Sequence, residues 1–123
     1  NAVDQPSDCT FIVPSVVRRG DLVIAASTSG KSPGLAKKIR KTLTGQFDEE
    51  YGSFLVMMGR LRKEVLRQGL SQEENSRIFH DLVHSSILNE LREKNYEEIS
   101  SILSRILGRP VSADDVIHYL EAE

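Results

Sequence analysis

The sequence predicts an α+β fold, with a short β-hairpin region ahead of a mainly helical segment. Three observations carry this reading. Two short runs rich in β-branched residues flank Arg18-Arg19-Gly20-Asp21. A Ser32-Pro33 pair then marks a helix start. From Tyr51 onward, apolar residues recur three and four apart, in stripes broken by Gly, Asn and Ser, which is the spacing of one helix face.

The elements follow in order. Phe11-Ile12-Val13, with Val16 and Val17 beyond Pro14, reads as a first strand. Pro14 cannot donate to a ladder, so this strand is expected at an edge or broken there. Arg18 to Asp21 reads as a tight turn in which Gly20 supplies a positive φ, and Leu22 to Ala26 as the return strand of a hairpin. Ser32 suits an N-cap and Pro33 the first helical position. Leu35, Ile39 and Leu43 then share a face. Thr44-Gly45-Gln46 is expected to interrupt that helix and to divide two domains, 1–45 and 46–123. Behind it, Tyr51, Phe54, Leu55, Met58, Leu61 and Val65 form one stripe that stops near Gly69. Ser71 with Glu74 has the capping-box spacing ahead of Ile78, Phe79, Leu82 and Val83. Asn95 with Glu98 starts a helix carrying Ile99, Ile102, Leu103 and Ile106, and Gly108 ends it. A last short helix carries Val116, Ile117 and Leu120.

Composition narrows the function classes. A length of 123 residues with 39% hydrophobic and 28% charged residues fits a soluble globular domain, and the absence of Trp makes its core mostly aliphatic. A formal net charge of −2 argues against a dedicated nucleic-acid binder. The single cysteine, Cys9, excludes an internal disulfide or a cysteine metal cluster, and reads as a small buried residue. No apolar run is long enough to span a membrane, and no signal peptide is visible, so a cytoplasmic location is expected. The chain opens without Met and reads as a piece of a longer protein, with Asn1 and Ala2 read as an expression remnant.

Four groups of residues invite chemistry. Thr28-Ser29-Gly30-Lys31-Ser32 lies between a strand and a helix, as a phosphate loop does. That loop needs a further glycine at position 25, where Ala stands, and Pro33 removes a donor. Nucleotide hydrolysis is therefore not expected. An anion site remains open, because loop N–H groups and a helix N-terminus favour negative charge and Lys31 adds to it. An ordinary capped helix start explains the same residues. His80-Asp81-Leu82-Val83-His84 resembles a zinc-protease helix, but Asp stands where Glu is required and His118 is the only further histidine. Solvent-facing histidines are the better reading, and no metal site is expected. Lys31, Lys37, Lys38, Arg40 and Lys41, with no acid among them, read as a solvated face or as partners for a ligand rich in carboxylates. Asp4, in Asp-Gln-Pro-Ser-Asp, reads on composition as a plain turn residue.

Taken together, Asn1-x-x-Asp4, Phe11-Ile12-x-Pro14-Ser15 and Ser27-x-x-Gly30-x-Ser32-Pro33-x-Leu35-Ala36 occur in an order and spacing that change this picture. The string resembles the precorrin-2 dehydrogenase and sirohydrochlorin ferrochelatase family, in the N-terminal region of siroheme synthases. The likeness is tight from residue 1 to about 44 and loose across the helical remainder. It implies an enzyme with an NAD-binding Rossmann domain, a central dimerisation domain and a helical segment. Such an enzyme oxidises precorrin-2 to sirohydrochlorin, and in many members then inserts ferrous iron. Residues 1–45 correspond to the central dimerisation and active-site region, and the family's key aspartate falls on Asp4 as a general acid/base. Thr28 takes the place of a serine that some members phosphorylate. Thr28, Ser29, Gly30, Lys31, Ser32, Arg18 and Arg19 would meet the carboxylates of the tetrapyrrole.

No Gly-x-Gly-x-x-Gly follows a strand, so NAD is expected on a domain outside this chain, and the chain alone should lack dehydrogenase activity. With no His or Cys set to hold iron in advance, the macrocycle itself is the expected metal ligand. Apolar surface on the hairpin and the helices points to a homodimer. Two alternatives stand beside this reading: a non-catalytic helical interaction module, and a parent enzyme that dehydrogenates without chelating iron.

Overall fold

The computed structural model describes residues 13–121. The chain forms two compact units, one reaching to Asp48 and the other starting at Glu49.

In the first unit, β1 (Ser15–Arg19) pairs antiparallel with β2 (Leu22–Ala26), with Val17 opposite Ile24 and Arg19 opposite Leu22. Only Gly20 and Asp21 remain for the loop, and Gly20 has φ 61°. A positive φ at the first of two loop residues is what a type II′ hairpin turn requires. Arg18 and Arg19, expected in the turn, thus lie in the ladder itself. The two-residue loop matches the strand twist, so the turn needs nothing more from β1.

Strand periodicity places Val17, Leu22, Ile24 and Ala26 on one face, all buried or half-buried. Arg18, Val23 and Ala25 are exposed on the other. Helix α1 (Pro33–Gln46) packs against both strands and buries Ala36. Its N-cap is Ser32, whose Oγ accepts from the Leu35 N–H at 3.1 Å. The expected break at Thr44 does not occur. Phe47 N–H still reaches Leu43 O at 2.9 Å, and Thr44 Oγ1 donates to Arg40 O at 2.8 Å. Gly45 weakens a helix by about 1 kcal/mol relative to Ala, a cost the final turn bears because these bonds hold it.

The second unit is helical: α2 (Glu50–Arg67), α3 (Gln72–Val83), α4 (Ile87–Arg92), α5 (Tyr96–Leu107) and α6 (Ala113–Tyr119). Helix α2 buries Phe54, Met57, Leu61 and Val65, and α5 buries Ile99, Ile102, Leu103 and Ile106. These two helices are the hubs, for α3, α4 and α6 each pack against both α2 and α5. The α2 stripe runs through Met57, which is fully buried, rather than the half-buried Met58 expected from the sequence. Tyr119 is buried on α6, whereas Ile117 is exposed.

Helix α4 has no counterpart in the sequence reading. It is six residues long and its N-cap Ser86 makes no side-chain bond, so Ile87 and Leu91 give the only signal. Its end is also hidden. Lys94 has φ 56°, its N–H bonds to Leu91 O at 3.1 Å, and Asn95 N–H bonds to Glu90 O at 2.9 Å. This is a Schellman motif with Lys in the left-handed position that usually holds Gly. The start of α2 is tied to α4 by Glu50, whose side chain is 5% exposed and accepts from Arg92 Nη2 at 2.7 Å and Nε at 3.2 Å.

Two outcomes test this description. Lys94→Gly should stabilise the helical unit by about 1 kcal/mol, the lower end of the cost of a left-handed non-glycine residue, read as a raised urea midpoint with unchanged slope. At the N-terminus of α6, Ser112 and Asp115 form a reciprocal capping box. The Ser112 backbone N–H, then its hydroxyl, hold Asp115 below the ordinary value of 3.8. A depressed folded pKa gives stability that is present above 3.8 and lost as pH falls through the lower folded value. Amide exchange in α6 should therefore quicken on acidification below pH 3.8, and Asp115→Asn should flatten that dependence.

Candidate functional site

The segment from Ser27 to Ser32 joins β2 to α1 and is built by its own short side chains. Lys31 N–H donates to Thr28 O at 3.1 Å, closing a four-residue turn whose central residues, Ser29 and Gly30, have φ 57° and 76°. Two positive φ values in succession are the mark of a type I′ turn, which Gly30 adopts freely and Ser29 adopts at a cost. The Ser29 N–H donates to Ser27 Oγ at 3.1 Å. Thr28 Oγ1 accepts from Ser32 N–H at 3.0 Å and donates to Ser32 O at 3.2 Å, so one hydroxyl clasps the base of the loop on both sides.

This accounting separates the loop residues by task. Thr28 and Ser32 spend their hydroxyls on the loop and the helix cap. Gly30 and Gly34 keep N–H groups that meet no acceptor among the described residues. Lys31 is exposed and makes no ion pair among those residues. Beside the loop lies a hollow of about 140 Å³, lined by Val13, Ser15, Ala26, Ser27, Thr28, Gly30, Pro33 and Ala36. Sites that enclose drug-sized ligands run to about 300–1,000 Å³, so this hollow has room for a small group and not for a whole ligand of that size. None of Val13, Ser15, Ala26 and Ala36 is expected from the sequence as a site residue, although Ser15 and Ala36 belong to the string that carries the resemblance. Only the fold brings them to the loop.

The two arginines of β1 differ. Arg18 is exposed on the open hairpin face. Arg19 is half-buried, with Nη2 on Thr44 O at 3.3 Å and Nη1 on Arg18 O at 3.0 Å. Its positive charge thus lies near the C-terminal carbonyls of α1, where a cation is favoured. Lys37, Lys38 and Lys41 are exposed on α1 and Arg40 is half-buried. Asp4 and Cys9 lie outside the described residues.

His80 on α3 and His84 at its C-cap both face solvent, with rings stacked at 4.1 Å. His84 Nδ1 lies 2.9 Å from His80 O, and His80 Nδ1 lies 3.4 Å from Asp81. Among the described residues, no three His, Cys, Asp or Glu side chains gather as a metal site would require. No helix there is long and apolar enough to cross a membrane. A polar network that the sequence did not reveal joins α2 to α6: Glu64 accepts from Tyr119 Oη at 2.7 Å and from Arg109 Nη2 at 2.7 Å. Burial, then the bond to Glu64, raises the Tyr119 phenol, so it stays a neutral donor. Its members lie 45 and 55 positions apart, beyond any local pattern.

A hairpin, a clasped loop and a capped helix make up one unit, and five helices make up the other. Residues 19–46, from the last residue of β1 to the last of α1, match the family model "Sirohaem biosynthesis protein central". The relatives that the chain matches are siroheme synthases. It is 40% identical over 90 residues to a siroheme synthase of Ruthia magnifica subsp. Calyptogena magnifica, covering 73% of this chain and 19% of that protein. It is 30% identical over 112 residues to one from Citrobacter koseri, covering 90% of this chain and 24% of that protein. The similarity therefore extends through the helical unit. Among solved structures, a precorrin-2 dehydrogenase, SirC, has the same fold, with a TM-score of 0.68 at 24% identity, covering 88% of this chain and 52% of that one. The chain spans about a fifth of the length of the curated relatives it matches.

The clasp makes a direct prediction. Thr28→Val should cost about 1 kcal/mol locally, the worth of an ordinary hydrogen bond, seen as faster amide exchange at Ser32. Thr28→Ser should restore the protection.

Proposed function

We propose that this chain is the central and helical part of an enzyme that oxidises precorrin-2 to sirohydrochlorin with NAD and inserts ferrous iron to give siroheme. The observation that supports this best is the Thr28–Ser32 loop. It holds its backbone rigidly with its own hydroxyls while leaving the Gly30 N–H and the Lys31 ammonium for an anion. The substrate's acidic side chains are such anions. Lys31 and Arg18 would attract them, the loop N–H groups would orient one of them, and the hollow beside the loop is sized for a single arm. Thr28 and Ser32 act by holding the loop, and Arg19 by fixing β1 to α1.

Asp4 is the proposed general acid/base. A positioned carboxylate can take the proton that leaves as a reduced tetrapyrrole is oxidised, and can take pyrrole N–H protons as a metal enters. The described residues do not fit NAD. Their sheet is a two-stranded antiparallel hairpin, without the parallel strand–Gly-rich turn–helix unit that cradles a dinucleotide. The cofactor is therefore assigned to another part of the enzyme. Iron is a substrate here, held by the macrocycle's own nitrogens.

The open face of the hairpin supports a homodimer in the same reading. Val23 is 48% exposed there, and Leu35 and Ile39 on α1 are 48% and 37% exposed. A two-stranded hairpin is marginal unless its apolar surface is covered.

The test uses the full-length enzyme as wild type, Asp4→Ala and Lys31→Ala, with NADH formation from precorrin-2 and iron insertion into sirohydrochlorin as separate readouts. Asp4→Ala should slow both steps by about 10²–10⁴-fold, the usual worth of general acid–base catalysis. Lys31→Ala should raise KM about tenfold, as the loss of a charge-assisted bond predicts, with kcat little changed. A wild type that dehydrogenates without inserting iron would make the parent monofunctional. Asp4→Ala with both activities intact would leave the interaction-module reading in its place.

A further inference from the structure

A second concavity lies wholly within the helical unit, between α2 and α6. It measures about 150 Å³ and is lined by Arg60, Lys63, Glu64, Arg67, His118 and Tyr119. Residues 60, 63, 64 and 67 follow the i, i+3, i+4, i+7 spacing of one helix face. This cationic lining runs against its surroundings, because residues 49–123 carry fourteen Asp and Glu against nine Lys and Arg. A basic hollow in an acidic unit is not the outcome of general surface composition.

Among the described residues, Glu64 is the one lining carboxylate of the hollow, and that group already accepts from Arg109 Nη2 at 2.7 Å and from Tyr119 Oη at 2.7 and 2.9 Å. Arg109 is not itself in the lining, so the charge of Glu64 is matched from outside the hollow. Arg60 Nε donates to the neutral carbonyl of Glu121 at 3.0 Å, which fixes the guanidinium and leaves its terminal nitrogens. Arg67 makes no ion pair among the described residues. His118 Nδ1 lies 3.2 Å from Glu121 Oε1, so its other ring nitrogen remains available. Like charges on one helix face repel each other, and no ion pair among the described residues offsets that repulsion for Arg60 or Arg67.

We propose that this cleft is a binding site for a compact dianionic oxyanion, a phosphate that is either free or the terminal group of a phosphate monoester. Guanidinium forks match phosphate oxygens two at a time. Seven residues of helix rise by about 10 Å, so Arg60 and Arg67 can reach one small anion from either end of the hollow. The volume takes the anionic group and leaves the rest of a monoester outside. Tyr119, buried and hydrogen-bonded to Glu64, forms a fixed wall rather than a titrating one. This site is separate from the Thr28–Ser32 loop and does not depend on the function proposed for that loop.

The test follows the full chain by NMR, reading the side-chain Nε–H signals of Arg60 and Arg67. Inorganic phosphate is titrated at constant ionic strength, with chloride as the ion replaced. Both signals should shift saturably. Arg67→Ala should weaken binding about tenfold, the loss expected for one charge-assisted contact, and Arg67→Lys should lie between the two because it keeps the charge and loses the fork. Arg67 is exposed, so its replacement leaves the core intact, and Arg60→Ala gives an independent second variant. Methyl phosphate that binds as tightly as phosphate identifies a monoester site, and methyl phosphate that fails to bind identifies a site for the free ion. Shifts that do not saturate, shifts that chloride reproduces, or Arg67→Ala binding as tightly as wild type would each overturn the proposal.

Discussion

A two-stranded sheet has two faces and, in ten residues, side chains enough to protect only one. That constraint organises the first unit. Val17, Leu22, Ile24 and Ala26 turn toward one side, where α1 covers them, and Arg18, Val23 and Ala25 are left on the other. Covering the sheet with the next helix forces the chain to reverse within six residues, Ser27 to Ser32. Such a reversal needs two left-handed residues, Ser29 and Gly30, and strong local bonds to hold them. Thr28 supplies those bonds to Ser32. The loop that presents Gly30 and Lys31 is thus a consequence of how a minimal hairpin buries itself.

The helical unit meets a different demand. Its core is aliphatic, supplied mainly by α2 and α5, and such packing is tolerant of sliding. Polar pairs of long sequence separation fix what packing alone leaves loose. Glu50 binds Arg92 across 42 positions, and Glu64 joins Arg109 and Tyr119 across 45 and 55. Each carboxylate sits on α2, so that helix sets the placement of both α4 and the segment leading through α6. Charge-assisted bonds of this kind are short and directional, and losing one partner of the buried Glu50 pair would strand a charge.

Sequence similarity and the loop geometry bear on function at different levels. Similarity to siroheme synthases over 90 to 112 residues extends across both units. The geometry adds which residues hold and which present: Thr28, Ser32 and Arg19 hold, while Gly30, Lys31 and Arg18 present. A hollow of about 140 Å³ is far smaller than a tetrapyrrole. If the function proposed for the chain holds, most of the macrocycle must lie against surfaces other than this hollow.

Much of this architecture was legible in the sequence because its signals are local. Ser32-Pro33, Ser71 and Asn95 each cap the helix they announce, since a cap satisfies N–H groups only two or three residues away. Gly108 ends α5 in the left-handed conformation its type favours. The loop residues 28 to 32 were also visible, because Ser, Thr and Gly in series have few other uses. What the sequence could not supply was decided at a distance. Helix α4 exists because Ile87 and Leu91 find a core, not because six residues favour a helix. Lys94 adopts a glycine's conformation because α5 must begin immediately after it. The division of labour between Arg18 and Arg19 depends on where Thr44 lies, and the Arg60–Arg67 hollow depends on α6 folding back onto α2. Local hydrogen bonding is written in neighbouring residues, whereas burial and charge compensation are settled only when distant segments meet.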